Sequence, residues 1–297
     1  MGHLIAPSTI QAAEAPEAIG AIVRRALDED LGDGDVTTEC TVALEARLRG
    51  EFLAKQAGVI AGLEVAELTF ASLDENSLFT AHAAEGSAVA RGQVVATVEG
   101  LGRALLSGER TALNLLQRMS GIASLTRQFV DAVQGTRAVI LDTRKTAPGL
   151  RALDKWAVRL GGGQNHRFGL YDMVLIKDNH IAAVGGDLTE AVRRVRAGDA
   201  RQRPIEVEVT SEAQLRQALR LEPPVDRILL DNMSPPEMRT AVQIVAGQVP
   251  LEASGNVSLE NVAQVAATGV DYISVGALTH SVRALDVSLE LYRVDGK

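Results

Sequence analysis

Five basic side chains lie in short polar segments of the second half of the chain: Arg144, Lys145, His166, Arg167 and Lys177. Arg144 and Lys145 follow an apolar run at 138–141, and Lys177 follows another at 173–176. Guanidinium groups bind planar carboxylates through two hydrogen bonds, whereas ammonium groups act as point charges toward phosphates. These residue types predict a site for a ligand that carries both carboxylate and phosphate groups.

Two carboxylates and two glycine-containing turns follow later apolar runs. Glu208 and Asp231 occupy two of the run ends. The turns after the last two runs consist of Ser254, Gly255, Asn256 and of Val275, Gly276, Ala277. Glycine in such turns lets main-chain N–H groups approach a phosphate closely. Because the anion would repel the carboxylates unless a divalent cation or sugar hydroxyls lay between them, the pattern predicts carboxylate, phosphate, sugar and Mg²⁺ in one pocket.

A repeated strand–helix pattern has to position these residues. Six apolar runs alternate with helices, one of which begins with a capping box formed by Ser234 and Glu237. Near-continuous apolar runs indicate parallel strands that are covered on both faces. A doubly wound sheet and a barrel both fit, and the functional residue types at all six strand ends favour a barrel. About 170 residues are too few for the roughly 250 of a complete barrel, so we expect an α/β fold with an open (incomplete) α/β barrel.

The N-terminal part has a different pattern. Predicted helices at 16–30 and 64–73 alternate with short strands and turn glycines, which indicates an α+β sandwich. We place this domain at 1–112, joined by the C-terminal tail 281–297, and the barrel domain at 113–280. The stretch from Glu85 to Ala96 resembles a lipoyl or biotinyl carrier repeat, but it has no lysine to modify, so we interpret it as a structural hairpin.

The composition excludes several classes of protein. A formal charge of −8 and 3% aromatic residues argue against a nucleic-acid binder, which needs basic stripes and stacking platforms. The single cysteine, Cys40, cannot form an internal disulfide. The first 20 residues contain no Lys or Arg, and no apolar run approaches the roughly 20 residues of a membrane span. We therefore expect a cytoplasmic protein that binds neither nucleic acid nor membrane.

Several motifs, in chain order, resemble those of the quinolinate phosphoribosyltransferase family. They are the segments 29–37, 142–146, 161–167, 175–180, 230–232, 252–255 and 276–279. The resemblance covers essentially the whole chain. At Asn256 the family commonly has a second glycine, and asparagine is a tolerable replacement because it also adopts unusual backbone angles.

The resemblance implies a reaction and an assembly. Phosphoribosyl pyrophosphate and quinolinate would give nicotinate mononucleotide, pyrophosphate and CO₂ in de novo NAD biosynthesis, so the enzyme would be a pentosyltransferase (nicotinate-nucleotide diphosphorylase, carboxylating). The family fold is an N-terminal sandwich with an open barrel, and each barrel mouth is covered by the N-terminal domain of the partner in a homodimer. Arg110 would reach into the site of the partner subunit.

The resemblance also implies residue roles. The quinolinate carboxylates would meet Arg110, Arg144, His166, Arg167 and Lys177. Lys145 and Lys177 would face phosphates, Glu208 and Asp231 would hold the ribose hydroxyls and Mg²⁺ (partly through substrate or water), and the turns at 254–256 and 275–277 would hold the 5′-phosphate. We count Lys145, Lys177, Glu208 and Asp231 as catalytic and add Thr143 and His280 to the substrate-binding residues. Whether His280, Asn179 and His180 touch a ligand directly stays open.

Three alternatives differ in the pocket they require. A related phosphoribosyltransferase-like protein of a molybdenum-transport context would keep the phosphate-binding residues and vary those that read carboxylates. Here Arg110, Arg144, His166 and Arg167 are all present, which favours quinolinate. A phosphosugar aldolase or isomerase barrel would have a less cationic pocket, and a carrier or scaffold has no use for such a cluster.

Overall fold

A computed structural model describes residues 16–294 of the chain. Within this range, 16–127, 146–162 and 281–294 form one compact unit, the sandwich unit, and 128–145 and 163–280 form a second, the barrel unit. The domain boundary placed after residue 112 falls inside one long helix, which stays with the sandwich unit as far as Arg127. The parts of the predicted domains at 1–15 and 295–297 lie outside the described residues.

The sandwich unit contains an antiparallel sheet of four strands in the order β12-β1-β5-β3 and a separate two-stranded sheet of β2 and β4. The strands are β1 (Arg47–Ala54), β2 (Gly58–Val59), β3 (Leu78–Ala81), β4 (Ala88–Val89), β5 (Val94–Leu101) and β12 (Val287–Arg293). The C-terminal strand β12 pairs with β1 from Val287↔Ala54 to Arg293↔Leu48. The tail is therefore part of this sheet.

Five helices complete the sandwich unit, and α4 runs on into the barrel unit: α1 (Pro16–Leu31), α2 (Val36–Thr41), α3 (Leu63–Ala71), α4 (Gly102–Ala132) and α5 (Arg151–Leu160). The apolar core joins the sheet to α3 and α4, with Phe52, Phe70 and Leu105 fully buried. The rings of Phe52 and Phe70 pack edge to face with centroids 6.1 Å apart, which is a favourable aromatic geometry. The mixture of helices and strands predicted for this part is confirmed.

The barrel unit contains a six-stranded parallel sheet in the order β7-β8-β9-β10-β11-β6. The strands are β6 (Val139–Leu141), β7 (Val174–Ile176), β8 (Ile205–Val209), β9 (Arg227–Asp231), β10 (Leu251–Ser254) and β11 (Tyr272–Ser274). β7 and β6 are the two edges and do not pair, so the barrel is open, as predicted. Gln164 forms a parallel bridge with Leu141 on the outer side of β6.

Helices follow the barrel strands: α6 (Asp178–Ala183), α7 (Leu188–Gly198), α8 (Glu212–Ala218), α9 (Pro235–Val245), α10 (Val262–Ala266) and α11 (Ala277–His280). The predicted capping box of α9 forms, because Glu237 Oε2 accepts the Ser234 N–H at 2.7 Å and the Ser234 hydroxyl at 2.6 Å. None of the helices within residues 16–294 combines the length and the hydrophobicity that crossing a bilayer requires.

Strand parity determines which side chains share the inner face of the barrel sheet. The register pairs Glu206 with Arg227, Leu229 with both Glu208 and Glu252, and Glu252 with Tyr272. Successive side chains of a strand point to opposite faces. Asp231, Ser254 and Ser274 each lie two residues after one of these paired residues on the same strand. They therefore belong to the same face.

Candidate active site

The carboxyl ends of the barrel strands surround an open cavity of about 670 Å³. Ten of the predicted site residues line it: Thr143, Arg144, Lys145, His166, Arg167, Lys177, Asp231, Ser254, Gly255 and Asn256. The same wall includes five residues that were not predicted from the sequence: Leu175, Leu229, Asn232, Glu252 and Ser274. The pocket lies within the barrel unit and is strongly cationic in a chain whose formal charge is −8.

The remaining predicted residues lie outside this lining. Glu208 is buried and contacts Lys177, Ala277 begins α11, and His280 is exposed. The Val275 N–H donates to the Leu141 carbonyl at 2.9 Å, so this N–H is engaged within the sheet and does not point to a ligand. Arg110 lies on α4 in the sandwich unit, where it is exposed.

Gly276 lies in a crowded turn beside Lys145. A Cβ atom on Gly276 would be 3.2 Å from Lys145 Cδ and 3.0 Å from the His280 ring. The Thr279 hydroxyl also donates to the Lys145 carbonyl at 3.0 Å. The turn after β11 therefore contacts the segment that carries Lys145, and glycine allows this close approach.

Asp142 joins the two segments that carry the basic residues. This fully buried carboxylate accepts the Asn165 side-chain amide at 2.6 Å and the His166 main-chain N–H at 2.9 Å. Its own N–H donates to the Gln164 carbonyl at 3.1 Å. The end of β6 is thus tied to the segment 164–166, so Asp142 fixes the position of His166 without lining the pocket.

Arg167 is a buried guanidinium with a like charge near it. Burial and the positive charge of Arg144 both lower the pKa of Arg167. Its Nη1 donates to the Met173 carbonyl at 3.3 Å, which fixes the side chain in the wall of the pocket. An anion between two neighbouring guanidiniums relieves their mutual repulsion, so this pair suits a carboxylate.

Lys177 connects the cationic wall to the carboxylates. Its Nζ donates to Glu208 Oε2, and its main-chain N–H donates to His180 Nδ1 at 3.0 Å. The His180 ring therefore stabilises the turn that leads from β7 into α6. Asn179 is exposed, and its N–H donates to the Asp178 side chain.

A buried polar network lies beneath the pocket. His166 Nδ1 accepts the Arg167 N–H at 2.7 Å, while Nε2 is 2.9 Å from Glu206 Oε2 and 3.5 Å from Glu252 Oε1. Glu252 in turn accepts hydrogen bonds from Arg227 and from the Ser274 hydroxyl.

Most of this network was not predicted from the sequence, although a signal for it was present. Glu206, Arg227 and Glu252 are charged residues inside strands whose neighbours are apolar and buried. Each lies an even number of residues before a predicted site residue on the same strand, which strand parity places on the inner face.

The charges of the network shift its protonation equilibria. Burial and the nearby charge of Glu252 raise the pKa of Glu206 to about 7. Burial acts to lower the pKa of His166, but the carboxylates of Glu252 and Glu206 outweigh it and raise that pKa. Burial acts to raise the pKa of Glu252, but the charges of His166 and Arg227 lower it. Both His166 and Glu206 therefore bind a proton more tightly in the folded protein than the free side chains do.

The turn after β10 has a left-handed backbone. Gly255 has φ of +97°, and a Cβ there would lie 2.2 Å from Asn232 Oδ1. Asn256 has φ of +51°, which confirms the expectation that asparagine tolerates an unusual angle at this position. The Asn256 amide donates to Asn232 Oδ1 at 3.1 Å, so the turns after β9 and β10 brace each other.

Glu208 and Asp231 form a donor set that suits Mg²⁺. Glu208 is the penultimate residue of β8, and Asp231 is the last residue of the neighbouring parallel strand β9. Carboxylate oxygens are hard ligands of the kind that Mg²⁺ prefers. Mg²⁺ is usually bound by one or two carboxylates together with water and substrate phosphates, so a pair of carboxylates is sufficient. The residues present therefore fit the metal predicted from the sequence.

Known protein families and known proteins match most of this chain. The family descriptions "Quinolinate phosphoribosyl transferase, N-terminal domain" and "Quinolinate phosphoribosyl transferase, C-terminal domain" match residues 35–120 and 122–290. The nicotinate-nucleotide pyrophosphorylase (carboxylating) of Mycobacterium leprae (strain TN) is 51% identical over 280 residues, which cover 91% of this chain and 95% of that protein. A probable nicotinate-nucleotide pyrophosphorylase (carboxylating) of Bacillus subtilis (strain 168) is 45% identical over 263 residues, 89% of this chain and 90% of that protein.

A solved structure extends the similarity to the fold. The crystal structure of NadC from Streptococcus pyogenes matches with a TM-score of 0.89 and 39% identity, covering 95% of this chain and 100% of that one. Both family descriptions match in chain order, and the similarity extends over most of each protein. The chain therefore belongs to the quinolinate phosphoribosyltransferase family.

Proposed function

We propose that this protein transfers the phosphoribosyl group of phosphoribosyl pyrophosphate to quinolinate and decarboxylates the product, giving nicotinate mononucleotide, pyrophosphate and CO₂ in de novo NAD biosynthesis. The observation that carries the proposal is the buried Arg167 beside Arg144 in a cationic pocket, next to the carboxylates of the neighbouring strands. Paired guanidiniums suit an acceptor with two adjacent carboxylates. The names of the relatives favour this reaction over that of the molybdenum-context alternative.

The two reactants occupy opposite sides of the pocket in this proposal. Arg144, Arg167 and Lys177 bind the quinolinate carboxylates, and His166 completes that wall. Thr143, Lys145 and the turns at 254–256 and 275–277 bind the phosphate groups. Within the second turn the Gly276 and Ala277 N–H groups are the donors, because the Val275 N–H is bonded to Leu141. His280 lies one helical turn after Gly276 and supports the phosphate-binding side of the pocket.

The reaction needs positioned charges and no covalent nucleophile. The lone pair of the pyridine nitrogen forms the bond to the ribose C1′ as the C1′–O bond breaks and its electrons leave with pyrophosphate. The ring nitrogen is then quaternary, so it stabilises the carbanion that remains at C2 when the adjacent carboxylate leaves as CO₂. A proton at C2 completes nicotinate mononucleotide. Arg144, Arg167 and the lysines contribute by holding two anionic reactants in contact.

The carboxylates serve the donor side of the reaction. Glu208 and Asp231 would hold Mg²⁺ and the ribose hydroxyls. When bound, the metal neutralises charge on the leaving pyrophosphate. Glu208 is paired with Lys177, which lines the pocket.

The family relationship also supports a proposal about the assembly and the location of the protein. We propose a homodimer in which Arg110 of each subunit completes the site of the other, because this residue is exposed in the sandwich unit and is not among the residues that line the pocket of its own chain. We also propose that the enzyme acts in the cytoplasm.

A direct assay tests the proposed function. The protein is incubated with phosphoribosyl pyrophosphate and either quinolinate or nicotinate, with Mg²⁺ or with EDTA, and CO₂ and pyrophosphate are measured. We expect equal amounts of both products from quinolinate with Mg²⁺, a strong loss of rate with EDTA, and little pyrophosphate from nicotinate. Pyrophosphate release without CO₂, or a preference for nicotinate, contradicts the proposal.

A further inference from the structure

We propose that Glu252 is a positioning residue for the carboxylate-binding wall: clamped by Arg227 and Ser274, it fixes the His166 ring and, through that ring, the main chain of Arg167. This inference rests on the proposed function, because it assigns the wall to quinolinate. Glu252 lies on β10 two residues before Ser254, beneath the pocket, and is fully buried.

Both oxygens of Glu252 are held by the protein. Oε2 accepts a hydrogen bond from Arg227 Nη1, and Oε1 accepts the Ser274 hydroxyl while lying 3.5 Å from His166 Nε2. The Arg227 guanidinium is itself fixed, because its central carbon stacks 3.8 Å from the centroid of the Tyr272 ring. The carboxylate therefore has a fixed position that involves three neighbouring strands, β9, β10 and β11.

The His166 ring transmits this position to the pocket. Its Nδ1 accepts the Arg167 N–H at 2.7 Å, so the ring proton is on Nε2, facing Glu206 and Glu252. A ring rotated away from the carboxylates would break the bond to Arg167 as well. Since Arg167 lines the pocket and His166 precedes it, displacement of the ring displaces the wall that faces the carboxylates of the ligand.

The charge balance of the cluster explains why Glu252 has this role and is not part of a metal centre. His166, Glu206 and Glu252 do offer ligand atoms within 4.8 Å of one another. However, Arg227 supplies a positive charge at the same place, since its Nη1 binds Glu252 and its Nε is 4.0 Å from Glu206. Buried charges that are paired in this way are strongly oriented, because any displacement exposes an uncompensated charge to an apolar interior.

The test compares Glu252→Gln with Ser274→Ala and a matched control. Gln keeps the size of the side chain but removes the charge, and Ser274→Ala removes one hydrogen bond to Glu252 if Glu252→Gln does not fold. The control is Glu85→Gln in the sandwich unit, where another largely buried carboxylate accepts the Gly62 and Glu64 N–H groups at 2.8 and 3.2 Å. All three variants are expected to lower the melting temperature.

The expected kinetic result is specific to one substrate. Glu252→Gln should raise the KM for quinolinate roughly 5- to 30-fold, the scale of one to two lost interactions, while the KM for phosphoribosyl pyrophosphate changes less than about twofold. Ser274→Ala should show a smaller change in the same direction, and Glu85→Gln should change neither KM. Unchanged quinolinate KM in both barrel variants, or equal loss toward both substrates, overturns the proposal.

A spectroscopic measurement separates this inference from the proposed function. In ¹⁵N-histidine-labelled protein, the His166 signals are assigned by their loss in His166→Gln. At a pH above the raised pKa of His166, where the ring is neutral, we expect a protonated Nε2 and an accepting Nδ1 in the wild type, and changed shifts of both nitrogens in Glu252→Gln but not in Glu85→Gln. Unchanged shifts in Glu252→Gln overturn the positioning role, whatever the enzyme assay gives. If the shifts change but the wild-type protein has no activity toward quinolinate, only the proposed function is refuted.

Discussion

At the scale of single residues, the molecule holds like charges close together. Arg167 is buried beside Arg144, and its burial together with the repulsion from Arg144 lowers the pKa of Arg167. Glu206 and Glu252 form a second like-charged pair beneath them, compensated by Arg227 and His166. An anionic ligand relieves the repulsion between Arg144 and Arg167. The negative charges of Glu206 and Glu252 are already balanced within the protein by Arg227 and His166.

Removal of Arg167 should weaken quinolinate binding. We expect Arg167→Ala to lose about 1.5–3 kcal/mol of binding free energy, the scale of one charged hydrogen-bonding partner, when the affinity is measured by calorimetry. Arg49→Ala serves as the control, because that guanidinium is in the sandwich unit and pairs with Glu99 on the surface. An unchanged affinity in Arg167→Ala excludes this residue from the site.

The stability of the ligand-free protein should fall as the pH rises through neutrality. The folded protein raises the pKa of Glu206 to about 7 and also raises that of His166, so the folded state binds protons more tightly than the unfolded state. Stabilisation from these protons is complete below the unfolded pKa values and is lost as the pH rises through the folded ones. Urea denaturation between about pH 5.5 and about pH 8 should show a decrease on the order of 2 kcal/mol.

The variant Glu206→Gln isolates the source of this pH dependence. Since it removes the carboxyl group with the raised pKa, we expect a flatter stability profile over the same pH range. A profile as steep as that of the wild type would mean that other groups cause the decrease.

At the scale of elements, parallel strands bring distant residues together, and tight turns present main-chain donors. The turn after β10 depends on Gly255, where φ is +97° and a Cβ would meet Asn232 Oδ1 at 2.2 Å. The turns at Asn232 and Asn256 are left-handed as well, which is uncommon for residues other than glycine. This geometry supports a phosphate-binding role for the turn.

Substitution of Gly255 should affect the donor substrate selectively. We expect Gly255→Ala to raise the KM for phosphoribosyl pyrophosphate at least about tenfold, because a clash is added to a backbone cost of about 1–2 kcal/mol. Gly135→Ala is the matched control, since Gly135 also has positive φ (+82°), but a Cβ added there would meet no neighbouring atom of the described residues within 4 Å. Equal kinetic effects of both substitutions would contradict the assignment of the turn.

Much of the arrangement of strands and of the residues at their ends could be predicted from the sequence. The run ends at Lys177, Asp231 and Ser254 were placed correctly because a buried parallel strand is a short apolar run with a polar end. Glu252 was missed because a charge inside such a run is stabilised by partners on other strands, and a single sequence does not contain the register that pairs them. The predicted domain boundary between residues 112 and 113 differs from the observed division between the two units. The helical pattern of α4 is continuous at the residue where the units separate, so the sequence does not mark that point.

At the scale of the whole molecule, an acidic chain concentrates positive side chains around one pocket. The formal charge is −8, whereas the pocket wall contains Arg144, Lys145, Arg167 and Lys177. Such a field attracts anionic ligands over distances comparable to the Debye length.

Salt should weaken this attraction. We expect the KM for quinolinate to rise several-fold between about 0.05 M and about 0.3 M salt, while the melting temperature changes little. An uncharged osmolyte of equal osmolarity provides the control. A salt-independent KM would indicate that the cationic wall does not face the ligand.

A mixing experiment tests the composite site of the proposed homodimer. Arg110→Ala and Lys177→Ala are each expected to be inactive, because they remove residues from the two sides of every pocket. In a mixed dimer one pocket combines an intact Arg110 with an intact Lys177, so partial activity should return after the subunits are exchanged. No recovery in hybrids of verified composition argues against a site shared between subunits.

The most direct test of the central claim is a crystal structure of the protein with quinolinate. We expect the two carboxylates of the ligand to lie against Arg144 and Arg167, with nitrogen–oxygen distances of about 2.7–3.2 Å, above the buried Glu252. A ligand bound elsewhere, or one whose carboxylates face solvent while these guanidiniums stay uncontacted, would contradict it.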